Sequence, residues 1–408
     1  MKKLSLLVIA LCITCGSVSA QQALFGGQMP QSPEIHADKT VTFRLKAPNA
    51  QKVQITGDFL PTKQIDTPVG KYDAPGVADL VKDDKGVWSF TSTNLSPELY
   101  SYNLLLDGVK IVDPGSVYIT RDITSVTNIF ILSDKKGDCG DLYTVNEVPH
   151  GNVQKVWYDS PTLKMQRRMT VYTPAGYDKG KDYPVLYLLH GAGGDEDAWT
   201  TLGRASQILD NLIATGKAKP MVVVMTNGNP NCQAAPGEWS AGMYVPSFYG
   251  YQGAKAVATM DESFPDVMNY VESHYKVGKD KAHRAICGLS MGGGHSFDIS
   301  RRFPNKFDYV GLFSAGLHVG KTGDFRADFY KMLQEDEEAK QQLATLFKNK
   351  PKLYWIGMGK TDFLYKSTAG LRRYFDEKGY KYTYMETEGG HIWRNWRVYL
   401  TEFAQKIF

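Results

Sequence analysis

The first half of the chain alternates apolar and polar residues in short stretches separated by turn-forming residues. TVTFRLKAP (40–48), QKVQITGDF (51–59) and GVWSFTSTNL (86–95) follow this pattern. YSYNLLLDGVKIVDP (100–114) contains two further runs around Asp107 and Gly108, a dipeptide typical of tight hairpins. Alternation with a period of two predicts half-buried strands. Residues 33–132 are therefore predicted to form an all-β sandwich.

The second half changes pattern near residue 151. Continuous apolar runs (YPVLYLLH, MVVVMTNG, HRAICGLS, DYVGLFSAG and KLYWIGMG) alternate with stretches of helical character such as 252–275 and 363–378. Strands that are buried on both faces read as continuous apolar runs, which is typical of a parallel sheet with helices on both sides. The predicted fold is α/β, with a sandwich domain at 21–135, a polar, glycine-containing linker at 136–150, and an α/β domain at 151–408.

The N-terminus, MKKLSLLVIALCITCGSVSAQQ, has the three parts of a secretory signal: two lysines, an apolar stretch over residues 4–15, and a small-residue triplet ending at Ala20. The apolar stretch is too short for a permanent membrane span. We therefore predict a signal peptide over residues 1–20, cleaved after Ala20, and a mature protein that is secreted or periplasmic without a membrane span. Cleavage before Cys15, as in a lipoprotein, is the alternative.

Composition narrows the possible partners. The chain is 42% hydrophobic and 22% charged, with a formal net charge of +4. Beyond the first residues we find no long basic run, so nucleic acid is not expected as a partner. The mature chain keeps Cys139, Cys232 and Cys287. Cys287 lies in an apolar run and is expected to be buried. An oxidising compartment would allow a disulfide between Cys139 and Cys232, and the sequence does not decide whether it forms.

Residues 288–292, GLSMG, fit the pattern G-x-S-x-G between an apolar strand-like run and a possible helix. A sharp strand–turn–helix forces the central residue into a strained backbone conformation, and the flanking glycines leave room for the turn. The turn also directs the hydroxyl out of the sheet, beside a helix N-terminus that favours developing negative charge. Ser290 is the predicted nucleophile.

A serine nucleophile needs a general base, which in this architecture follows it in the order serine, acid, histidine. His295 lies on the helix of the nucleophile itself, too close in sequence to reach back. His391 follows a strand-like run and two glycines, which places it at the carboxyl end of a strand, where open α/β sheets build their sites. His391 is the predicted base, with His318 as the alternative.

The acid is expected on the loop after the preceding strand. The run KLYWIGMG ends at Gly359 and is followed by Asp362, whose carboxylate would hold the imidazole tautomer and stabilise the imidazolium. An aspartate at this position also suits the N-cap of the next helix. Glu386 and Glu388 are the fallback acids.

Two backbone N–H groups are needed to bind the oxyanion of a tetrahedral intermediate. One is predicted at Met291, directly after the nucleophile. The other is predicted at Ala192, with Gly193 next, in the glycine-rich stretch LLHGAGGDEDAW. His190 in the same stretch is interpreted as a structural polar anchor.

In their order along the chain, LLHGAGGDEDAW, GLSMGGGHS, GKTDFLY and GGHIWRNW resemble carbohydrate esterase family one, the feruloyl and acetyl xylan esterases. The resemblance covers about residues 150–408 and implies an α/β-hydrolase fold. It also implies a triad at Ser290, Asp362 and His391 and an oxyanion hole at Ala192 and Met291, with no metal or organic cofactor.

The N-terminal half is similar to the immunoglobulin-like early-set sandwich of family 48 carbohydrate-binding modules. The matching stretches are VTFRLKAPNAQKVQITGDF, GVWSFTSTNL and YSYNLLLDGVKIVDP. Trp88, Tyr100 and Tyr102 are aromatic side chains suited to stacking on sugar, but alternating aromatics in a strand more often belong to the core. We therefore favour a core position for them.

These features predict an exported serine esterase that removes acyl groups from plant polysaccharide or oligosaccharide. Feruloyl esters on xylan are the first choice and acetylated xylan the second. Trp199, Trp239 and Trp393 are predicted to line the substrate pocket, with Met243 and Trp396 as further candidates. A second enzyme hypothesis is a siderophore lactone esterase, which needs a basic pocket built from Arg167, Arg168, Arg394 and Arg397. A non-catalytic glycan-binding protein is the hypothesis from another class.

Overall fold

The computed structural model describes residues 29–67, 70–244, 255–319 and 328–408. The predicted signal peptide lies outside these ranges. The described residues form an all-β unit followed by an α/β unit, as the change of sequence pattern predicts.

The first unit is built from twelve strands in its described part. In chain order they are β1 (Glu34–Ile35), β2 (Val41–Lys46), β3 (Val53–Gly57), β4 (Lys63–Thr67), β5 (Gly70–Ala74), β6 (Gly76–Asp79), β7 (Val81–Lys82), β8 (Val87–Thr91), β9 (Glu98–Leu106), β10 (Val109–Ile111), β11 (Ile119–Asp122) and β12 (Ser125–Leu132). One sheet has the order β1-β2-β8-β7, and the other has the order β11-β12-β9-β3-β6 with β10 paired to β9.

The alternating sequence pattern explains the interior of this sandwich. β3 buries every second residue, and Val53 and Ile55 are fully buried. Trp88, Tyr100 and Tyr102 are buried as well, which confirms the expectation of a core position. The predicted hairpin is formed by β9 and β10, with positive φ at both Asp107 (49°) and Gly108 (87°), as a tight two-residue turn requires.

In the described part of the chain, the second unit contains eight strands and eight α-helices, and one further α-helix precedes it. They are α1 (Cys139–Tyr143, before the unit), β13 (Asn152–Ser160), β14 (Met165–Thr173), β15 (Val185–Leu189), α2 (Ala198–Thr201), α3 (Ala205–Ala214), β16 (Val222–Thr226), α4 (Met260–His274), β17 (Arg284–Leu289), α5 (Met291–Arg302), β18 (Tyr309–Phe313), α6 (Phe329–Glu335), α7 (Glu337–Lys348), β19 (Leu353–Gly359), α8 (Tyr365–Lys378), β20 (Thr383–Thr387) and α9 (Trp393–Ala404).

These strands form one sheet in the order β13-β14-β16-β15-β17-β18-β19-β20. The pairs from β16 to β20 are parallel, whereas β13 and β14 are antiparallel at one edge. In β15, Val185, Tyr187 and Leu189 enter the core on one face, while Leu186 and Leu188 enter the core on the other. Burial on both faces is the reason why this strand reads as an unbroken apolar run. The predicted α/β-hydrolase fold with a preceding sandwich is confirmed.

The structure differs from the sequence predictions at two places. The helix predicted over 252–275 begins only at Met260, because Thr259 forms a capping box with Glu262 that defines the helix start. Residues 252–254 lie outside the described part of the chain. The antiparallel strands β13 and β14 were not predicted, since β14 contains the buried pair Arg167 and Arg168, which interrupts its apolar pattern.

The segment predicted as a linker is folded in part. Asp138 caps α1, and its side chain accepts a hydrogen bond from Asp141 N at 2.8 Å. Tyr143 of α1 shares a buried cluster with Leu99 and Ile129 of the sandwich and with α3 of the hydrolase unit. The apolar core therefore continues from one unit into the other.

The cysteines do not bridge the units. Cys139, Cys232 and Cys287 lie in the described residues, and no disulfide links any of them. Cys287 is fully buried in β17, as predicted, and burial raises the pKa of its thiol well above the ordinary value.

A buried ion pair also joins the two units. Arg397 of α9 bonds Glu98 Oε1 at 3.0 Å, the carbonyl of Leu99 at 3.1 Å and the carbonyl of Leu202 at 3.0 Å. The side chains of Arg397 and Glu98 are only 3% and 7% exposed. Since a buried carboxylate that loses its partner is costly, this pair is a sensitive point of the interface.

We expect Arg397→Met to lower the free energy of unfolding by about 3 kcal/mol, because it leaves the buried Glu98 carboxylate with only the partly exposed Arg394 as a cation, at 3.7 Å. Chemical denaturation of the full chain measures this loss. The exposed pair Arg373 and Glu377 on α8 supplies the matched control, Arg373→Met, for which little change is expected. Equal effects of the two substitutions would contradict the interface role of Arg397.

Candidate active site

Ser290 occupies a sharp turn between β17 and α5. Its backbone has φ 52° and ψ −116°, outside the regions that residues with a side chain normally adopt. Ser290 N donates to Phe313 O at 2.9 Å, and Ser290 O accepts from Gly316 N at 2.8 Å and Gly294 N at 3.0 Å. These bonds to the neighbouring strand and helix maintain a conformation that costs about 1–3 kcal/mol. The strained strand–turn–helix predicted around Ser290 is present.

The glycines around Ser290 are required by close packing. A Cβ on Gly292 would lie 2.5 Å from the carbonyl oxygens of Leu189 and His190. A Cβ on Gly288 would lie 2.6 Å from the backbone of Gly292. Larger residues at either position would push α5 away from β15 and β17.

The predicted acid and base are in direct contact. His391 Nδ1 lies 2.9 Å from Asp362 Oδ2 and 3.1 Å from Oδ1. A carboxylate only accepts hydrogen bonds, so the neutral imidazole carries its proton on Nδ1 and leaves Nε2 able to accept one. The Asp362 side chain is fully buried, and its Oδ1 also accepts from Leu364 N at 2.9 Å. Asp362 thus organises the turn before α8 as well as the imidazole.

The imidazole of His391 is held by further neighbours. Phe363 lies 4.6 Å from it between ring centres, and Trp396 approaches edge-to-face at 4.9 Å. Asn395 Nδ2 donates to the carbonyl of Gly390 at 2.9 Å and so fixes the loop that carries His391. Phe363 and Asn395 were not predicted as parts of the site, although they lie within the motifs GKTDFLY and GGHIWRNW.

Ser290, Asp362 and His391 follow β17, β19 and β20, three parallel strands of one sheet. They therefore lie at the same edge of the sheet, the one formed by the C-terminal ends of these strands. Among the residues that the structure describes, Ser290 Oγ makes no hydrogen bond with His391. Such a bond is often long without substrate and shortens in the reacting complex. The structure therefore brings acid and base together and places the serine at their edge of the sheet, while the role of each stays a prediction.

Residues 191–196 follow β15 and carry the predicted oxyanion donor Ala192, and we call them the oxyanion loop after this prediction. Gly194 N donates to Gly191 O at 3.1 Å, and Gly193 has φ 78°, which together define a tight turn with Ala192 at its first corner. Met291 is the first residue of α5, where backbone N–H groups have no partner within the helix. Both predicted oxyanion donors therefore belong to backbone at this edge of the sheet.

His190 anchors the oxyanion loop from below. Its Nε2 accepts from Gly228 N at 2.7 Å, so its Nδ1 carries the proton and donates to Gly191 O at 2.7 Å. Complete burial lowers the pKa of the ring, which keeps it neutral. The interpretation of His190 as a structural anchor is confirmed.

The other candidate acids and bases have different surroundings. His295 lies on α5 itself and is partly buried, and desolvation together with the neighbouring His190 lowers its pKa to about 4. The half-exposed His318 lies 3.9 Å from Asp298. Glu386 accepts from the hydroxyls of Tyr365 and Tyr384, and Glu388 pairs with Lys360 on the surface. None of these side chains forms a hydrogen bond or ion pair with His391 within the described part of the chain.

The predicted pocket aromatics divide into two groups. Trp199 is 1% exposed, donates from Nε1 to Leu189 O at 2.9 Å and packs edge-to-face on Phe313. The prediction that Trp199 lines the substrate pocket is therefore wrong, because the side chain fills the core beneath the oxyanion loop. Trp396 is buried too, whereas Trp239 and Trp393 are partly exposed and remain candidates.

The arginines of the siderophore hypothesis are engaged elsewhere. Arg167 donates to the carbonyls of Cys232, Asn227 and Asn229, and Arg168 pairs with Glu196, Asp197 and Glu238. Arg397 forms the buried pair described above. Arg394 stacks over Tyr100 at 5.3 Å. These side chains do not form the basic pocket that this hypothesis needs.

No group of three or more His, Cys, Asp or Glu side chains in the described ranges is arranged to hold a metal ion. None of the helices in those ranges has both the length and the apolar character that crossing a bilayer demands.

Comparison with known proteins places this site in a family. The family model described as a putative esterase matches residues 160–407, more than half of the 408-residue chain. An endo-1,4-beta-xylanase/feruloyl esterase of Xylanibacter ruminicola is 30% identical over 387 residues, which cover 92% of this chain and 46% of that protein. The chain thus spans about half the length of this relative.

Solved structures agree with the fold. A CE1 ferulic acid esterase from Anaeromyces mucronatus, in complex with ferulic acid, is 25% identical with a TM-score of 0.51, over 68% of this chain and 98% of that one. The enterobactin esterase of Shigella flexneri aligns over 94% of this chain and 97% of its own with a TM-score of 0.59, but at 14% identity this likeness shows the fold alone. From the family match and the shared fold, the chain belongs to the esterase family and is similar to its CE1 feruloyl esterases.

Proposed function

We propose that this protein is an exported serine esterase that hydrolyses feruloyl or related hydroxycinnamoyl esters on xylan-type polysaccharides or oligosaccharides. The observation that carries the proposal is the buried Asp362 bonded to His391 at 2.9 Å, at the same sheet edge as the strained Ser290. A hydrogen-bonded acid–base pair and a serine at a helix N-terminus, all at one edge of the sheet, are suited to acyl transfer.

In the first half-reaction, Ser290 Oγ attacks the ester carbonyl carbon while its proton passes to His391 Nε2. The carbonyl oxygen becomes an oxyanion, for which the backbone N–H groups of Met291 and Ala192 are the proposed donors. The C–O bond to the sugar then breaks, and the imidazolium returns the proton to the leaving sugar oxygen. The products are a free sugar hydroxyl and an acyl group on Ser290.

In the second half-reaction, water attacks the acyl-enzyme carbonyl and gives one proton to His391. Collapse of the second tetrahedral intermediate returns that proton to Ser290 and releases the carboxylic acid. The Asp362 carboxylate stabilises the imidazolium in both steps.

The substrate class is proposed from the relatives. One relative is named for xylanase and feruloyl esterase activities, and one similar structure contains ferulic acid. The partly exposed Trp239 and Trp393 offer aromatic surface suited to a hydroxycinnamoyl ring. Acetylated xylan is the second substrate of the same chemistry. The engaged arginines give no support to a siderophore lactone as substrate.

A substrate panel tests this proposal. Methyl ferulate, methyl p-coumarate, acetylated xylan and nitrophenyl acetate are incubated with the full chain, and release of acid is measured. We expect the highest kcat/KM for a hydroxycinnamate. A higher kcat/KM for acetylated xylan would identify the second substrate as the preferred one. Absence of hydrolysis of every ester would contradict the esterase proposal.

A further inference from the structure

The hairpin formed by β11 and β12 extends from the sandwich to the edge of the hydrolase sheet where the candidate active site lies. Asp122 pairs with Ser125, so Ile123 and Thr124 form a two-residue turn. Ile123 has φ 55°, a left-handed conformation that glycine adopts freely and a β-branched residue adopts only with strain. A strained isoleucine where glycine suits the turn suggests that its side chain serves a purpose beyond the turn.

The first contact of this hairpin is with the oxyanion loop. Three carbon atoms of the Ile123 side chain lie 2.8–3.0 Å from the position that a Cβ on Gly193 would occupy. The side chain therefore covers Gly193 directly, one residue after the proposed donor Ala192. Only glycine at position 193 leaves room for this contact and also adopts the φ of 78° that the turn needs.

The second contact is electrostatic. Arg121 forms an ion pair with Asp195, whose side chain is 4% exposed, and its Nη1 donates to Ile123 O at 3.1 Å. Asp195 Oδ1 in turn accepts from Asp197 N at 3.0 Å at the start of α2. One guanidinium thus connects the hairpin turn to a buried carboxylate within the oxyanion loop.

The third contact reaches the side of the site that carries His391. The Asp122 carboxyl group lies near enough to the Trp393 side chain to interact with it, and burial raises the pKa of this carboxyl group above the ordinary value. Trp393 packs edge-to-face on Trp396 at 5.2 Å, and Trp396 packs on His391 at 4.9 Å. The hairpin tip, residues 121–123, therefore contacts the oxyanion loop and the aromatic support of His391 at once.

We propose that Arg121 and Ile123 are positioning residues that hold the oxyanion loop in its reactive shape, so that the sandwich contributes to catalysis. This inference rests on the proposed esterase function, and it deepens it. A donor that binds the oxyanion acts in the transition state, so a displaced loop lowers kcat rather than raising KM. The loss is expected to be similar for small and bulky esters, because every ester forms the same oxyanion.

Two substitutions test the proposal in the full chain. Arg121→Met keeps the aliphatic stem and removes the ion pair, and Ile123→Gly removes the side chain while suiting the turn. We expect each to lower kcat about tenfold or more on both nitrophenyl acetate and methyl ferulate, with KM within about twofold. Arg121→Lys should restore part of the loss. Ile119→Ala, an exposed position on the same hairpin, is the matched control.

Thermal melts separate positioning from folding. Since glycine relieves the strain at position 123, Ile123→Gly is expected to keep the melting temperature near that of the wild type while kcat falls. An unchanged kcat in this variant overturns the proposal, as does a rise in KM confined to the bulky ester, which would make the hairpin a wall of the cleft. If the wild type hydrolyses no ester, the proposed function itself fails, an outcome distinct from either of these.

Discussion

Ser290→Ala is expected to lower kcat for ester hydrolysis about a million-fold, to the level that binding and the oxyanion donors provide without a nucleophile. The physical reason is that no other hydroxyl of the described site stands at the N-terminus of α5 in the same strained turn. Steady-state and single-turnover assays with methyl ferulate measure the loss. Substrate affinity is expected to change little, since the serine hydroxyl forms a covalent bond during the reaction and contributes little to non-covalent substrate binding.

A second substitution at this position separates chemistry from folding. Ser290→Gly is expected to be equally inactive but more stable than the wild type by about 1 kcal/mol, because glycine adopts φ 52° without strain. Ser273→Ala, an exposed serine at the end of α4, is the control and should be fully active. Normal turnover by a folded Ser290→Ala protein would overturn the assignment of the nucleophile.

Asp362→Asn is expected to lower kcat about ten-thousand-fold. The asparagine amide can donate to Nδ1 of His391, which moves the imidazole proton to Nε2 and removes the base from the position that the serine needs. Its oxygen can still accept from Leu364 N, so the turn before α8 should survive. Kinetics with methyl ferulate, together with a thermal melt, measure both expectations.

The fallback acids provide the controls for Asp362→Asn. Glu386→Gln and Glu388→Gln alter exposed carboxylates that contact tyrosine hydroxyls and Lys360, and both variants should be close to wild type. An active Asp362→Asn protein beside an inactive Glu386→Gln or Glu388→Gln protein would show that the acid is a different residue.

The core of the hydrolase unit and the turn around Ser290 were predictable from the sequence. Parallel strands buried on both faces must be apolar throughout, so β15 to β19 appear as continuous runs. The turn at Ser290 must have glycines at positions 288 and 292, because any side chain there would collide with neighbouring backbone. Requirements of this kind act within a few residues and therefore leave a local pattern.

The order of serine, acid and histidine was predictable for a related reason. The C-terminal ends of parallel strands meet at one edge, so residues that directly follow such strands are neighbours in space. Asp362 and His391 do meet there, at 2.9 Å. Their distance and the proton position on the imidazole came only from the structure.

Contacts between segments that are distant in the sequence were revealed only by the tertiary structure. A tryptophan after a glycine-rich loop has the same appearance in sequence whether it lines a pocket or fills a core, and Trp199 fills the core. Arg167 and Arg168 gave no sign of their buried partners, which lie on other loops. Two contacts join residues about seventy positions apart: the ion pair of Arg121 with Asp195, and the packing of Ile123 on Gly193. Local sequence patterns reflect the conformation and packing of neighbouring residues. Long-range contacts of this kind depend instead on how two folded units pack against each other, so no single stretch of the sequence predicts them.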